Sequence, residues 1–373
     1  MSPAGIYVHL PYCASRCAYC AFVVTTDASS RGAYLEALDR EAELLQEDAR
    51  DSAFDSIYLG GGTPSLAPPE AISRLLGSLR RRFRMLPDCE TTIEANPEDV
   101  TAAALGAWAS AGVNRVSLGV QSLRDSELAA VGRRHDARRA RAALEDAAAS
   151  GLSVSADLIL GLPEQTASTF AASAAELAKT GVAHVSVYLL EVDKSPALED
   201  DRARRPERYL GDDAQADAWL GLSEALAERG FEHYEISNWA RPGRRARHNV
   251  KYWTRTETLG LGVSAHELWR ERRRANVSRI EGYLAGIGEG RRPLALDRPV
   301  PPDEADRERV FLGLRLSDGV PAGWLEPLLA ADRALRADYD AWIEAGVLDV
   351  RGDRVAFSER GFLVSNEVLS RFV

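Results

Sequence analysis

Two rhythms of apolar and polar residues alternate along the first 236 positions of the chain. Short runs rich in β-branched and apolar residues, each bounded by Gly, Pro or polar residues, predict strands at 6–10, 56–60, 91–95, 115–119, 154–159 and 185–190. Ala-, Leu-, Glu- and Arg-rich stretches between them predict helices at 33–48, 69–83, 101–111, 137–150, 168–179 and 213–229. Gly112, Gly151, Gly181 and Gly230 stand at or just past the ends of the last four, where helices commonly stop. Six strand–helix units with right-handed crossovers build a parallel sheet, and six fall short of the eight in a closed barrel. The expected fold is α/β, an incomplete (β/α)6 barrel over residues 1–236.

Residues 237–303 break this rhythm. They hold Pro-Gly, arginine-rich stretches and short apolar runs such as 258–263, and Pro299, Pro301 and Pro302 mark a linker. The segment reads as an extension of the barrel. Residues 304–373 predict helices at 304–315, 334–344 and 358–371, with short strands at 347–350 and 354–357 around an Arg-Gly-Asp turn. That order predicts a small winged-helix-like α+β domain. Its 13 acidic and 9 basic residues give a net charge of −4, which argues against reading DNA and for packing or a protein partner.

Composition narrows the function classes. The 373 residues are 45% hydrophobic and 27% charged, as in a soluble globular protein with ample core. Formal charge is −10, so sequence-independent nucleic-acid binding is not expected. No run of 18 apolar residues occurs, so no membrane span is expected, although peripheral membrane contact stays open. The first residues lack a basic then apolar leader, and a cytoplasmic location is the expectation.

Four cysteines are present, and three lie within eight residues: Cys13, Cys17 and Cys20. A secreted disulfide scaffold spreads its cysteines more widely, so this cluster points to metal or redox chemistry. Three thiolates in a C-x3-C-x2-C loop can each hold one iron of a cubane, whereas a [4Fe–4S] cluster usually takes four cysteines. Cys89 precedes the third predicted strand, and five strand residues span about 16 Å, so it belongs toward the opposite barrel face. One iron is then left open to an exogenous ligand. The competing reading is a zinc site completed by His9 or water. Cys89 itself reads as a small apolar core residue.

The loop Pro11–Phe22, with Tyr19 inside it, resembles the cluster motif of radical S-adenosylmethionine (SAM) enzymes. The ordered set Gly5-Ile-Tyr-Val-His-Leu-Pro-Tyr-Cys13, Leu59-Gly-Gly-Gly-Thr-Pro-Ser65, Gly119-Val-Gln-Ser122, Asp157-Leu-Ile-Leu-Gly-Leu-Pro163, His248-Asn-Val-Lys-Tyr-Trp253 and Gly260-Leu-Gly-Val-Ser-Ala265 resembles the oxygen-independent coproporphyrinogen III oxidase-like radical SAM family over nearly the whole chain. The resemblance implies a radical-SAM barrel, a [4Fe–4S] cluster on Cys13, Cys17 and Cys20, and reductive cleavage of SAM. It implies that Gly61, Gly62 and Thr63 meet the SAM amino group and that Glu94, Gln121 and Asp157 anchor its ribose or methionine parts. By the same resemblance Arg133 binds its carboxylate, and Tyr7 and Tyr19 lie beside it. Each of these motifs falls at the C-terminal end of a predicted strand, the face on which barrels place their sites.

A second constellation spans 241–274. Ten Lys/Arg stand against three acidic residues, with Tyr252, Trp253 and Trp269 interleaved with His248 and His266. A nucleic-acid surface, a tetrapyrrole site and a solvated basic loop all fit that content. The resemblance favours heme, with His248 the best single ligand candidate and Tyr252 and Trp253 beside it. His135, His184 and His233 read as structural or exposed. The decarboxylating members of the family carry a further cysteine where this chain has Phe22, and a longer N-terminal segment. Those departures favour the heme-chaperone branch, which delivers heme to acceptor proteins, over the coproporphyrinogen III dehydrogenase. The chaperone branch usually carries Asp where this chain has Ala21. Whether the chain acts as an enzyme is left open by its sequence.

Overall fold

The computed structural model describes residues 2–373. The chain opens with β1 (Ala4–Leu10), α1 (Arg31–Gln46), β2 (Ala53–Gly61), α2 (Pro69–Arg82), β3 (Arg84–Ala95) and α3 (Ala102–Ser110). It continues through β4 (Arg115–Gln121), α4 (Asp125–Ala130), α5 (Ala137–Ala149), β5 (Ser153–Leu160), α6 (Ala167–Leu177) and β6 (His184–Leu189). Strands β1 to β6 pair in parallel and in sequence order. This is the expected α/β partial barrel. The four predicted helix-ending glycines all hold positive φ, between 77° and 88°.

The strands are not uniformly apolar, as buried parallel strands usually are. Ile6, Val8, Ile57, Leu59, Ile93, Val116 and Leu118 are buried apolar residues of the main core. The intervening positions carry Tyr7, Tyr58, Glu94, Ser117 and Asp157. Glu94 accepts from Tyr58 and the backbone of Gly61, and Ser117 donates to Asp157. With a period of two, one face packs on helices and the other is a polar barrel interior.

Beyond the barrel come α7 (Pro196–Arg204), α8 (Asp212–Ala227), β7 (Glu232–Glu235), β8 (Asn238–Ala240) and α9 (Arg247–Trp253). Then follow β9 (Thr258–Leu261), β10 (His266–Trp269), β11 (Arg272–Asn276), α10 (Ile280–Gly288) and β12 (Leu294–Pro299). These strands lengthen the sheet at both edges, giving the order β12-β11-β10-β9-β1-β2-β3-β4-β5-β6-β8-β7. Strand β9 runs parallel to β1, with Tyr7 opposite Gly260. A Cβ at Gly260 would lie 2.7 Å from the His266 carbonyl oxygen, so the turn back into β10 requires glycine there.

The last segment is α11 (Pro302–Gly313), β13 (Val320–Pro321), α12 (Ala322–Ala331), α13 (Arg333–Glu344), β14 (Leu348–Arg351), β15 (Arg354–Phe357) and α14 (Ser365–Leu369). Helix, strand, two helices and a hairpin is the winged-helix order, with a three-stranded sheet β13-β15-β14. Three sequence expectations need correction here. Helix α12 is not predicted, because Gly323 and Pro327 lie within it. The helix predicted over 358–371 is instead a short α14 flanked by 3-10 turns. Strand β3 starts at Arg84, not 91. It pairs there with Ala53, loops out around Pro87 and rejoins β2 where Glu90 meets Ser56.

Candidate functional site

The cysteine loop leaves the C-terminal end of β1 and is clasped at its base. Cys13 N donates to Thr25 O at 2.9 Å, and Thr25 N donates to Pro11 O at 2.8 Å. His9 Nε2 bonds Val23 O at 2.9 Å while its Nδ1 meets Tyr7 Oη at 3.0 Å. Farther out, Ala18 N reaches Val131 O at 3.2 Å. Arg133 Nη1 lies 3.5 Å from Cys17 Sγ, and Thr63 Oγ1 lies 3.4 Å from Cys13 Sγ. All four cysteines are free thiols. Burial raises the pKa of the Cys13 and Cys20 thiols.

The three loop cysteines line a cavity of about 400 Å³ at the mouth of the barrel. Its walls also include Tyr19, Gly61, Gly62, Thr63, Glu94, Gln121, Arg133 and Asp157. Tyr19 belongs to the cysteine loop, and the others come from β2 and the turn after it, from β3, β4 and β5, and from the turn before α5. Tyr7 is the exception among the residues expected beside SAM. It does not line the cavity but stacks on Tyr58, with ring centroids 6.2 Å apart. Sequence reasoning missed Ser117 as a wall residue, and it set Asn96 at the end of the third strand without giving it the role of hub. Asn96 accepts from Arg133 Nη2 at 2.7 Å and donates to Thr63 Oγ1 at 3.2 Å. The strand-end rule that found Glu94 extends two residues to Asn96, and the period of two in β4 gives Ser117.

The electrostatics are those of a shielded pocket. Burial pushes the Glu94 carboxyl up to about 7 and that of Asp157 up to about 6. Arg133 Nη2 also donates to Gly119 O at 2.7 Å, yet its buried Nε has no partner. Backbone crowding explains the glycines. A Cβ at Gly62 would lie 2.8 Å from Pro11 C and 2.9 Å from Tyr12 O, and Gly61 holds φ +112°.

The opposite end of the barrel carries helix α9. His248 Nδ1 meets Ser56 Oγ at 3.0 Å, and its Nε2 meets Tyr252 Oη at 2.9 Å. The ring is fully buried and stacks on Tyr58 at 5.3 Å. Burial lowers its pKa to about 3. His248, the expected heme ligand, thus has both ring nitrogens hydrogen-bonded and its ring enclosed in this structure. Trp253 packs under Arg315, 4.3 Å from the guanidinium carbon, with its ring centroid 6.4 Å from that of Tyr252.

The basic stretch is likewise consumed internally. Arg255 pairs with Glu271 and Glu308, Arg270 with Asp48, Arg272 with Asp297, Arg273 with Glu308 and Arg274 with Glu267. Lys251 pairs with Asp55 and Arg247 with Asp88. Its net charge of +7 is therefore largely neutralised by carboxylates from elsewhere in the fold. Cys89, in the first half of β3, is half-buried against the core, and burial pushes its thiol up to about 11. His184 is a buried link between Ser155 and Tyr234.

Comparison with known proteins agrees with this geometry. Residues 7–177 match the model of the Radical SAM superfamily. The fold superposes on coproporphyrinogen III oxidase (HemN) from Escherichia coli with a TM-score of 0.86 at 24% identity, covering 99% of this chain and 90% of that one. Partial barrel, cysteine loop and walled mouth thus define a radical SAM protein. The chain is 37% identical over 373 residues to the heme chaperone HemW of Mycobacterium tuberculosis, covering 98% of this chain and 94% of that one. With its Synechocystis counterpart it shares 32% over 400 residues, 99% and 96% of the two chains. It belongs to the heme chaperone HemW family.

That superfamily implies a [4Fe–4S] cluster and SAM, and the residues at the mouth fit both. Three free thiols supply one ligand to each of three irons. The glycine-lined wall and the unpartnered Arg133 Nε offer a close approach and a spare donor.

Proposed function

We propose that the chain is a heme-binding chaperone that holds a [4Fe–4S] cluster and SAM and passes heme to acceptor proteins. The observation that carries this reading is likeness to heme chaperones over nearly the full length, together with an intact thiol-lined mouth. Cys13, Cys17 and Cys20 hold the cluster, which supplies one electron when reduced. Thr63, Asn96 and Arg133 form one hydrogen-bonded wall beside it, and Arg133 receives the SAM carboxylate. Glu94 and Asp157 take the ribose and the cationic groups, and Tyr19 and Gln121 close the wall around them. Phe22 stands where decarboxylating relatives carry a cysteine, which favours the chaperone over the dehydrogenase. No helix among the described residues is long and apolar enough to cross a membrane. The reading places the chain in the cytoplasm, with heme and apoproteins as its partners.

The test is anaerobic reconstitution followed by two assays on one sample. Heme loaded on the chain is expected to move to an apo-heme protein, read by the acceptor's Soret band. Incubation with SAM, reductant and coproporphyrinogen III is expected to leave the tetrapyrrole unchanged. Formation of protoporphyrinogen would replace the chaperone reading with the dehydrogenase.

A further inference from the structure

The rim of the mouth differs from the rest of the surface. Phe22 is 65% exposed, Leu189 50%, Tyr188 45% and Val23 38%. Phe22, Tyr188 and Leu189 line the same cavity from two sides, the cysteine loop and the end of β6. This apolar rim is presented on fixed backbone, because His9 ties Val23 O and β6 is paired along its length. Large apolar side chains gathered around an opening mark a binding surface. The same rim carries Arg16 and Arg134, both exposed and lining the cavity. Arg16 donates only to Cys20 O, and neither arginine has a carboxylate within ion-pair distance among the described residues. That contrasts with the arginines of 255–274, each of which is paired. Among the described residues no histidine lines the cavity.

Resting on the chaperone reading, we propose that heme lies across this rim, held by its porphyrin face and propionates rather than by its iron. Phe22, Val23, Tyr188 and Leu189 cover the flat apolar macrocycle. Arg16 and Arg134 receive the two carboxylates, for which the guanidinium fork is suited. A flat dianion with an apolar body is the ligand that this combination of exposed apolar surface and unpaired cations fits. The iron is left without a histidine from this chain, so its axial positions stay available to an acceptor. Passing heme on then requires breaking face and propionate contacts only.

The prediction separates pigment from metal. Hemin and metal-free protoporphyrin IX are expected to bind the reconstituted full-length chain with dissociation constants within about threefold, read by quenching of intrinsic fluorescence. Protoporphyrin IX dimethyl ester, which lacks both carboxylates, is expected to bind about tenfold more weakly or worse. The double variant Arg16→Glu, Arg134→Glu is expected to lose about tenfold for both pigments, and Phe22→Ser several-fold. Hemin binding more than about tenfold tighter than protoporphyrin IX would overturn iron-independent recognition. Wild-type affinity in the rim variants would overturn the site while leaving the chaperone reading in place. Failure of the wild-type chain to bind either pigment would remove both.

Discussion

The two ends of this barrel carry similar residue types and opposite fates. At the α9 end, His248 and Lys251 are drawn inward, and Lys251 and Arg247 find carboxylate partners across the fold. At the mouth, thiols, carboxyls and glycines face a cavity, and Arg133 keeps an unpartnered buried donor. The α9 end has the richer aromatic and basic composition, yet its cavity is much the smaller, about 120 Å³ against about 400 Å³. Composition measures which contacts a segment can make, whereas openness depends on what the rest of the chain brings against it. The ends remain coupled: His248 stacks on Tyr58, and Tyr58 Oη donates to Glu94 at 2.8 Å.

The largest expected effect breaks the mouth alone. Cys17→Ser should lower bound iron from about four per chain to below about one after reconstitution, with circular dichroism unchanged. Full iron loading in that variant would remove Cys17 from the ligand set. Next, Gly62→Ala forces a methyl against the backbone of Pro11 and Tyr12. SAM affinity, by equilibrium dialysis of the reconstituted chain, should fall about tenfold or more.

At the other end, His248→Ala removes one buried and one part-buried hydrogen bond and leaves a cavity. It should destabilise the chain by about 2–4 kcal/mol, measured by denaturant titration. Heme affinity should stay within about twofold of wild type when measured below the unfolding transition. A selective loss of heme with stability intact would reverse the comparison and return His248 to the heme site.

The smallest effect is a difference in sign with pH. The Glu94 and Asp157 carboxyls are held above their ordinary range, so folding favours their protonated forms. In cofactor-free protein, their contribution to stability is full below the ordinary carboxyl range and is lost as pH rises through about 6 and 7. His248, lowered to about 3, works the other way: its contribution is present above the ordinary histidine value and is lost as pH falls toward 3. Glu94→Gln should therefore remove part of the loss between pH 5 and 8, in denaturant midpoints taken across that range. Binding of cationic SAM should strengthen over the same range in the wild-type chain, with proton release visible by calorimetry in two buffers.

Much of the mouth was legible because its signals are local. The C-x3-C-x2-C spacing, the three glycines after β2 and the strand-end positions of Glu94 and Asp157 each sit within a few residues of one another or of a strand terminus. Tyr7 precedes the cysteine loop on the same strand but stands six positions before Cys13, the first residue of that loop to line the cavity. The surroundings of His248 were not legible, because its motif is short and aromatic while its partner Ser56 is 192 positions away. The arginines of 255–274 were unreadable for the same reason: Glu308 and Asp48 come from other parts of the fold.

From its sequence alone, the chain determined the six-unit parallel framework, the helix-ending glycines and the sulfur trio, since period, backbone freedom and loop spacing act over short stretches of chain. Tertiary structure decided which polar residues face a cavity and which are sealed. Burial and charge pairing depend on contacts between distant segments, and no local pattern carries that information.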